Sequence, residues 1–473
     1  MKGVLGLWSL VFGLWSLVPA AAEERPRVGL ALSGGAALGL AHIGVVQWME
    51  ENHIPVQSVA GTSMGGLIGA LYAMGMSARE VRRLVARVSW DEVLARHPPY
   101  ESLTFRRKED LSRYPGGVGF GLRRGFRLPS GLNPAQAINL LLSRLAFPYS
   151  DLESFDDLPI PFRCVAVDLV SEQRVVLADG SLPLALRATM AIPGLFTPVE
   201  YDGKVLVDGG LLDNLPEGVA RDMGPDVVIA VDALAYASDG EFLESPLGVL
   251  SRSVDVVIRD NVRESRKRAD VVVGLDLRGF SSTDFRRAEA LADAGYRAAA
   301  AASEALLAYR VDDPTWRTYA AARNARRRSG ALVPRFLKVA GACEAGCRAI
   351  NRTLRPFIGR PLSLPALEYA LVGITGLGRV DSLFYEKTRE GDAEGLLIRI
   401  REKQYGPPFA DVTLDVNGAA AEAVQFNLGS QLTQFDVGAS GAEVRGAMIL
   451  GSRTRVAGEY YRPVGPGEWF VAP

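Results

Sequence analysis

Over residues 27–310, short apolar runs alternate with longer amphipathic stretches. That is the pattern of buried, mostly parallel strands joined through covering helices. VGLALS (28–33) predicts a strand buried on both faces, and residues 38–52 a helix behind it. SVAGTS (58–63) predicts a second strand, with its helix over 65–74. Further buried strands are predicted at 162–167, 204–207, 227–231 and 271–275. Residues 90–131 break the rhythm, being polar and rich in Gly and Arg with weak periodicity. They predict an excursion from the sheet, a lid or a mobile flap.

After the basic run Arg323, Arg326, Arg327, Arg328 the pattern changes. The run suits contact with anionic lipid head groups or, more simply, a solvated linker. PRFLKVAG (334–341) predicts a strand, 347–358 and 364–374 two helices, and 380–388 with 394–403 an alternating hairpin. This β-α-α-β-β order is a small α+β module. From about residue 405 the chain consists of short alternating segments split by Gly, Asn and Ser, among them FADVTLDVNG and TRVAGEYYRPV. That is the pattern of outer-membrane barrel strands, of which about four fit before Pro473 where a single-chain barrel needs at least about eight. A soluble hairpin sheet is the other reading.

The first residues change the compartment. Lys2 is the only charge before Glu23, residues 4–18 are almost wholly apolar, and Pro19-Ala20-Ala21-Ala22 follows. A positive start, a short apolar run and an A-x-A site predict a secretory signal peptide cleaved after Ala22. An uncleaved anchor is disfavoured because a spanning helix needs roughly 20 apolar residues. An exported chain meets an oxidising compartment. Cys343 and Cys347 are spaced for a local disulfide or remain two unpaired small residues, while Cys164 in FRCVAV reads as a buried strand residue. Composition adds exclusions. With 53 Lys+Arg against 54 Asp+Glu there is no broad phosphate-neutralising surface, so nucleic acid is not an expected partner. Three Cys and three His leave little for a structural zinc site, and no metal or cofactor is expected.

The chemistry gathers at Gly61-Thr62-Ser63-Met64-Gly65, a G-x-S-x-G pentapeptide between a predicted strand and an apolar helix. The glycines permit a sharp turn that presents the serine oxygen, and the helix N-terminus favours developing negative charge. A serine nucleophile needs a base. His42, His53 and His97 are the only histidines, so the usual downstream His is absent. His42 reads as a packed residue of an apolar helix; His53 and His97 lie beside predicted loops. A carboxylate must then serve. Asp208 ends the apolar strand VLV and precedes Gly209-Gly210, at the strand end where open α/β sheets gather their sites. Asp168 and Asp232 also follow apolar strands but lack the paired glycines. Ser33-Gly34-Gly35-Ala36-Ala37-Leu38-Gly39 follows the first strand, and its small residues can aim backbone N–H groups at an oxyanion. A dinucleotide loop fails on spacing, because Ala36 takes the third position and no acidic residue follows at the right distance.

Together these segments resemble the patatin-like phospholipase family. LALSGGAALGLAHIGVV is similar to its glycine-rich oxyanion loop, GTSMG to its nucleophile elbow and DGG to its Asp-Gly-Ala/Gly motif. The resemblance implies a Ser–Asp dyad without His. Ser63 would be the nucleophile, Asp208 the base, and Gly34, Gly35, Ala36 and Gly39 the oxyanion hole, with Gly61, Gly65, Gly209 and Gly210 shaping the turns. Two positions depart from the family pattern: Ala36 stands where a third Gly is common, and Leu38 where Arg or Lys is. RATMAIPGLFTPV and LRGFSSTDFRRAEALADAGY are similar to later parts of bacterial members. Residues 333–404 resemble a POTRA domain, and the tail the start of a surface-antigen type barrel, an order like that of type Vd autotransporters.

The expected fold is therefore α/β, a three-layer patatin-like domain with a mostly parallel central sheet, a small α+β module and the first strands of a partial barrel. The expected boundaries are 1–22 for the signal, 23–310 for the hydrolase, 311–332 for a basic linker, 333–404 for the POTRA-like module and 405–473 for the barrel start. The expected function is ester hydrolysis of a phospholipid or other acyl ester at the outer membrane, periplasm or cell surface, with membrane lipid as partner. The barrel strands offer a route to a homo-oligomer. Leu38, Leu195 and Phe196 are acyl-channel or core residues. The rivals are an inactive transport or anchoring protein and, more distantly, a serine protease.

Overall fold

The computed structural model describes residues 25–95, 100–103, 105–113, 118–123, 131, 133–234, 246–341, 344–376, 378–403, 405–418, 424–439, 441–452, 454–464 and 469–472. The expected signal segment and His97 lie outside the described residues. Strand β1 (Val28–Leu32) is buried throughout and leads through the helical turn Ala36–Ala41 into α1 (His42–Glu51). Strand β2 (Ser58–Thr62), equally buried, runs into α2 (Met64–Ala73). Next come α3 (Phe105–Arg113), β3 (Val118–Gly121), β4 (Phe162–Asp168) and β5 (Gln173–Leu177). They are followed by α4 (Leu182–Thr189), β6 (Val199–Tyr201), β7 (Lys204–Asp208) and β8 (Val227–Asp232). The unit closes with α5 (Pro246–Arg268), β9 (Val271–Gly274), α6 (Ala288–Ala301) and α7 (Asp313–Ala325).

The central sheet has the order β6-β7-β4-β2-β1-β8-β9, with β5 paired to β4. β4, β2, β1, β8 and β9 are parallel; β5 and β7 pair antiparallel with β4, and β6 antiparallel with β7. The six strands expected from the apolar runs are all present. Those runs are apolar because both faces of the sheet are covered. Helix packing over the sheet is close enough to need glycine: a Cβ at Gly44 would stand 1.8 Å from the Ala292 carbonyl oxygen, and one at Gly295 1.8 Å from that of Ala41. Side-chain-free positions let α1 and α6 meet backbone to backbone.

The basic stretch is anchored rather than free, although residues 324–329 stay exposed. α7 returns to the first unit, where Tyr319 donates to the Val56 carbonyl at 2.8 Å and Trp316 stacks on His53. Arg323 pairs with Glu50, Arg327 with Glu80 and Arg328 with Asp151. Each arginine meets an acid or a free carbonyl supplied by distant sequence, which composition alone does not reveal.

Beyond it, β10 (Leu337–Ala340), α8 (Glu344–Leu354), α9 (Leu364–Thr375), β11 (Val380–Glu390) and β12 (Ala393–Glu402) form a second small unit. β12 lies between β10, to which it is parallel, and β11, to which it is antiparallel. Its core of Ile350, Leu354, Leu367, Leu371, Leu383 and Ile398 is continuous with Leu140 and Phe147 of the first unit. Cys347 is disulfide-bonded and Cys164 is free and buried; Cys343 lies outside the described residues.

The last strands, β13 (Phe409–Gly418), β14 (Val424–Phe435), β15 (Glu443–Gly451), β16 (Arg455–Pro463) and β17 (Phe470–Val471), form an antiparallel meander. β3 pairs with β13 at its edge. The sheet is polar inside and apolar outside. Thr413, Gln431, Thr433, Glu443 and Arg445 are buried, whereas Leu414, Phe426, Leu428, Leu432, Met448 and Val456 are exposed. The buried face is covered by α3, where Arg445 bonds Asp110 at 2.6 Å and Arg106 and Arg107 pair with Glu459 and Glu443. Residues 90–131 were expected as a lid or flap. Of the described part, α3 and β3 instead dock on this sheet, because the polar side chains of α3 complement its polar face, while Trp90 packs on Phe285 of the first unit. Among the described residues no helix is long and apolar enough to cross a membrane.

Candidate active site

The strand–turn–helix at β2–α2 presents Ser63 at φ 53° and ψ −124°, outside the conformations an L-residue normally adopts. Its flanking glycines are required by contact. A Cβ at Gly61 would lie 2.5 Å from the Gly65 carbonyl oxygen, and one at Gly65 2.4 Å from those of Leu32 and Ser33. The Ser63 N–H donates to Thr189 Oγ1 at 2.9 Å. Only 6% of Ser63 is exposed.

Asp208 ends β7, which pairs antiparallel with β4 so that Asp208 lies opposite Ala166. Its carboxylate accepts the Gly210 N–H at 2.8 Å. Burial pushes its pKa up to about 6, against the opposing pull of the Ser63 hydroxyl and of the Gly210 N–H. Gly209 is held against β4, where a Cβ would stand 2.4 Å from the Val165 carbonyl oxygen. The rival carboxylates are committed elsewhere. Asp168 closes a turn, accepting from Ser171 Oγ and the Val170 and Val205 N–H groups, and the Ser171 bond foremost holds it down at about 2. Asp232 is paired with Arg266 at 2.9 Å.

The loop after β1 passes against the serine, since a Cβ at Gly34 would come within 3.0 Å of Ser63 Cβ. Its donors divide unequally. The Gly34 N–H is spent on the Asn214 carbonyl at 3.1 Å, and that of Ala37 on Ser282. Gly39 lies inside the turn Ala36–Ala41, where a Cβ would meet Met64 Cβ at 2.7 Å, so its role is close packing. The N–H groups of Gly35 and Ala36 have no partner among the described residues. Ala36 holds a φ of 48° at this point. Of the four residues expected to line an oxyanion hole, Gly35 and Ala36 are thus the ones with free donors.

Neither described histidine competes with Asp208. His42 is fully buried, its Nε2 bonded to the Ser33 carbonyl at 2.8 Å, and burial lowers its pKa to about 4. His53 faces Asp313 at 3.1 Å. Leu38 and Phe196 belong to the core, and Leu195 is exposed. Sequence reasoning missed Thr189 and Asn214. Asn214 clasps the loop from the far side, donating from Nδ2 to the Gly34 carbonyl at 3.4 Å, and is itself fixed by Asn261 on α5. The only sequence signal for it is its position one short helical turn beyond Gly209-Gly210.

No group of His, Cys, Asp and Glu suited to a metal ion occurs among the described residues. A cavity of about 1100 Å³ lies between the first and second units, lined by Arg187, Asp381, Glu386, Arg399 and Arg401 among others. It includes neither Ser63 nor Asp208; Arg399 and Arg401 face acids there and Arg187 donates to the Thr197 carbonyl, so it is a polar seam apart from this chemistry.

Residues 30–221 match the family model described as Patatin-like phospholipase. An uncharacterized NTE family protein of Mycobacterium tuberculosis is 34% identical over 217 residues, 45% of this chain and 52% of that protein. Patatin-like phospholipase domain-containing protein 6 of Homo sapiens is 34% identical over 207 residues, 43% of this chain and 13% of that protein. The chain thus spans about half the length of the mycobacterial relative. Among solved structures, VipD from Legionella pneumophila is 16% identical with a TM-score of 0.33, covering 60% of this chain and 67% of its own.

Proposed function

We propose that the chain is a serine lipid acyl hydrolase working through a Ser63–Asp208 dyad. The observation that carries the reading is the strained Ser63 turn whose hydroxyl acts on the buried Asp208 carboxylate of raised basicity, on the side where the glycine loop with its two free N–H groups passes. Ser63 Oγ attacks the ester carbonyl while its proton passes to Asp208. The Gly35 and Ala36 N–H groups hold the oxyanion. Asp208 then returns the proton to the departing alkoxide. Water, deprotonated by the same carboxylate, releases the fatty acid and restores the serine. The match of residues 30–221 to a patatin-like phospholipase model supports a phospholipid or related acyl ester as the substrate class.

The purified full chain should hydrolyse short-chain and phospholipid esters, and Ser63→Ala should abolish turnover, a loss of at least roughly 10³-fold, while remaining folded. A wild-type chain without turnover would overturn this reading in favour of a transport or anchoring protein. Casein cleavage without ester hydrolysis would favour a protease.

The C-terminal sheet supports an outer-membrane location and an exported chain. Its exposed face is apolar and its covered face ionic, the reverse of a soluble sheet and the arrangement of a barrel wall. In this reading the β10–β12 unit is a POTRA-like module ahead of the barrel start, and the signal segment directs export. Leu428→Arg on the outer face should lower the membrane-bound fraction after fractionation of expressing cells, at a cost of roughly 2–4 kcal/mol for a cation at mid-bilayer depth. Unchanged fractionation would count against a lipid-facing sheet.

A further inference from the structure

We infer that Thr189 is a positioning residue for the nucleophile, its hydroxyl fixing the Ser63 backbone so that the serine oxygen faces Asp208 and the free N–H groups of Gly35 and Ala36. The inference rests on the reading of Ser63 as the nucleophile. It starts from a backbone that does not hold itself. At φ 53° and ψ −124°, Ser63 occupies a conformation that persists only where surrounding structure over-determines it. Glycines at 61 and 65 make room for the turn, but room alone does not select its shape.

Thr189 supplies the selection. It is the last residue of α4 and fully buried, and its Oγ1 accepts the Ser63 N–H at 2.9 Å while donating to the Val165 carbonyl at 2.5 Å. One hydroxyl therefore ties the elbow to β4, the strand lying between β2 and β7. Two residues on, the Ala191 carbonyl accepts the Asp208 N–H at 3.0 Å. The segment 189–191 thus holds the nucleophile through a side chain and the base through its backbone. Because the Thr189 hydroxyl both accepts and donates, valine reproduces its shape but neither bond, and serine reproduces both bonds without the methyl group. Without the hydroxyl, the Ser63 N–H and the Val165 carbonyl lose their partners inside the protein, and the elbow is free to relax.

The test compares wild type, Thr189→Val, Thr189→Ala and Thr189→Ser in the full chain. It reads kcat and KM on a short-chain ester and the rate of covalent labelling of Ser63 by a fluorophosphonate. Loss of the hydroxyl should lower kcat and the labelling rate together by roughly 10- to 100-fold with KM nearly unchanged, as a small misplacement of a reacting atom does. Thr189→Ser should recover most of both. If the valine variant does not fold, the alanine variant, which adds no bulk, carries the comparison at matched folded fraction. Wild-type kcat and labelling in a variant lacking the hydroxyl would overturn the inference, as would equal losses in all three variants. A wild-type chain that neither turns over ester nor takes the label overturns the functional reading itself, so the two failures are distinguishable.

Discussion

Asp208→Asn should lower kcat/KM for ester hydrolysis by roughly 10³-fold and leave KM nearly unchanged, because the amide still fills the site but cannot take the Ser63 proton. The wild-type pH profile should show why. With its carboxyl pushed up to about 6 by burial, Asp208 is a base only above that pH. Activity should therefore be flat above about pH 7 and fall toward tenfold per unit as pH drops below 6. His42, buried and held near 4, adds no second limb in the neutral range. The same shift has the opposite sign for stability. A carboxyl whose folded pKa is raised costs the fold nothing below its ordinary range near 4, and the full penalty once it is ionised above 6. The asparagine variant should thus be more stable than wild type at about pH 7.5, by up to roughly 3 kcal/mol, with the gap closing toward pH 4. A variant that gains stability as it loses activity marks a carboxylate kept for chemistry. Near-normal turnover by Asp208→Asn, or a profile flat through pH 6, would remove Asp208 from the role of base.

The parts of this arrangement that were legible in the sequence are those imposed by neighbours in the chain. The buried strands show as apolar runs because both faces of a parallel sheet are covered. Strand β5 escaped because four of its five residues reach solvent and its sequence does not alternate. Gly61, Gly65 and Gly209 could be picked out because close backbone contacts leave no room for other residues there, and Gly210 because the Asn214 and Asp208 side chains crowd it. The division of labour within the oxyanion loop could not. Which N–H remains free depends on the Asn214 carbonyl reaching Gly34 from 180 residues away. Thr189 was hidden for the same reason, its partners lying in the turn after β2 and in β4. The departures at positions 36 and 38 are clarified by the geometry: Ala36 keeps a free N–H, and Leu38 packs into the core, where a cation would need a buried partner.

Polar sequence was the harder material. Residues 90–131 and 323–328 are charged and weakly periodic, and both suggest solvated chain. In the fold the helix Phe105–Arg113 of the one and Arg323 of the other are docked, because their partners are charged or carbonyl groups supplied by distant sequence. Arg106 is 5% exposed, and Arg445 of the C-terminal sheet, also 5%, reaches Asp110 on the same helix. α3, part of the first unit's sequence, is thereby tied to the last strands chiefly through charges, with Phe105 stacked on Phe470 beside them. A pattern that scores only hydrophobicity has no means of seeing such a contact, since burial here is achieved by pairing.

Arg323→Ala should destabilise the first unit by roughly 3–5 kcal/mol, the range for breaking a buried ion pair on one side. Arg323 Nη1 pairs with Glu50 at 2.8 Å, and the guanidinium lies 3.9 Å over the Tyr72 ring. Its Nη2 donates to the carbonyls of Tyr72 and Met76, at the C-terminal end of α2, the helix whose N-terminus carries Ser63. A cation there adds a second donor to the Tyr72 carbonyl, which also accepts the Gly75 N–H at 3.0 Å, and meets the negative end of the helix dipole. Removing it strands the Glu50 carboxylate, which is mostly buried and bonded otherwise to the Ala78 N–H. The first unfolding transition in urea should move to lower concentration with little change in slope. Arg323→Met combined with Glu50→Gln should recover much of the loss, because no unpaired charge is then left inside and glutamine can still accept from Ala78. A loss in Arg323→Ala below about 1 kcal/mol, the worth of an exposed pair, would show instead that this arginine is solvated and that α7 is a free tether. A loss not relieved in the double variant would assign the effect to the carbonyls of α2, making Arg323 chiefly the cap of the nucleophile helix.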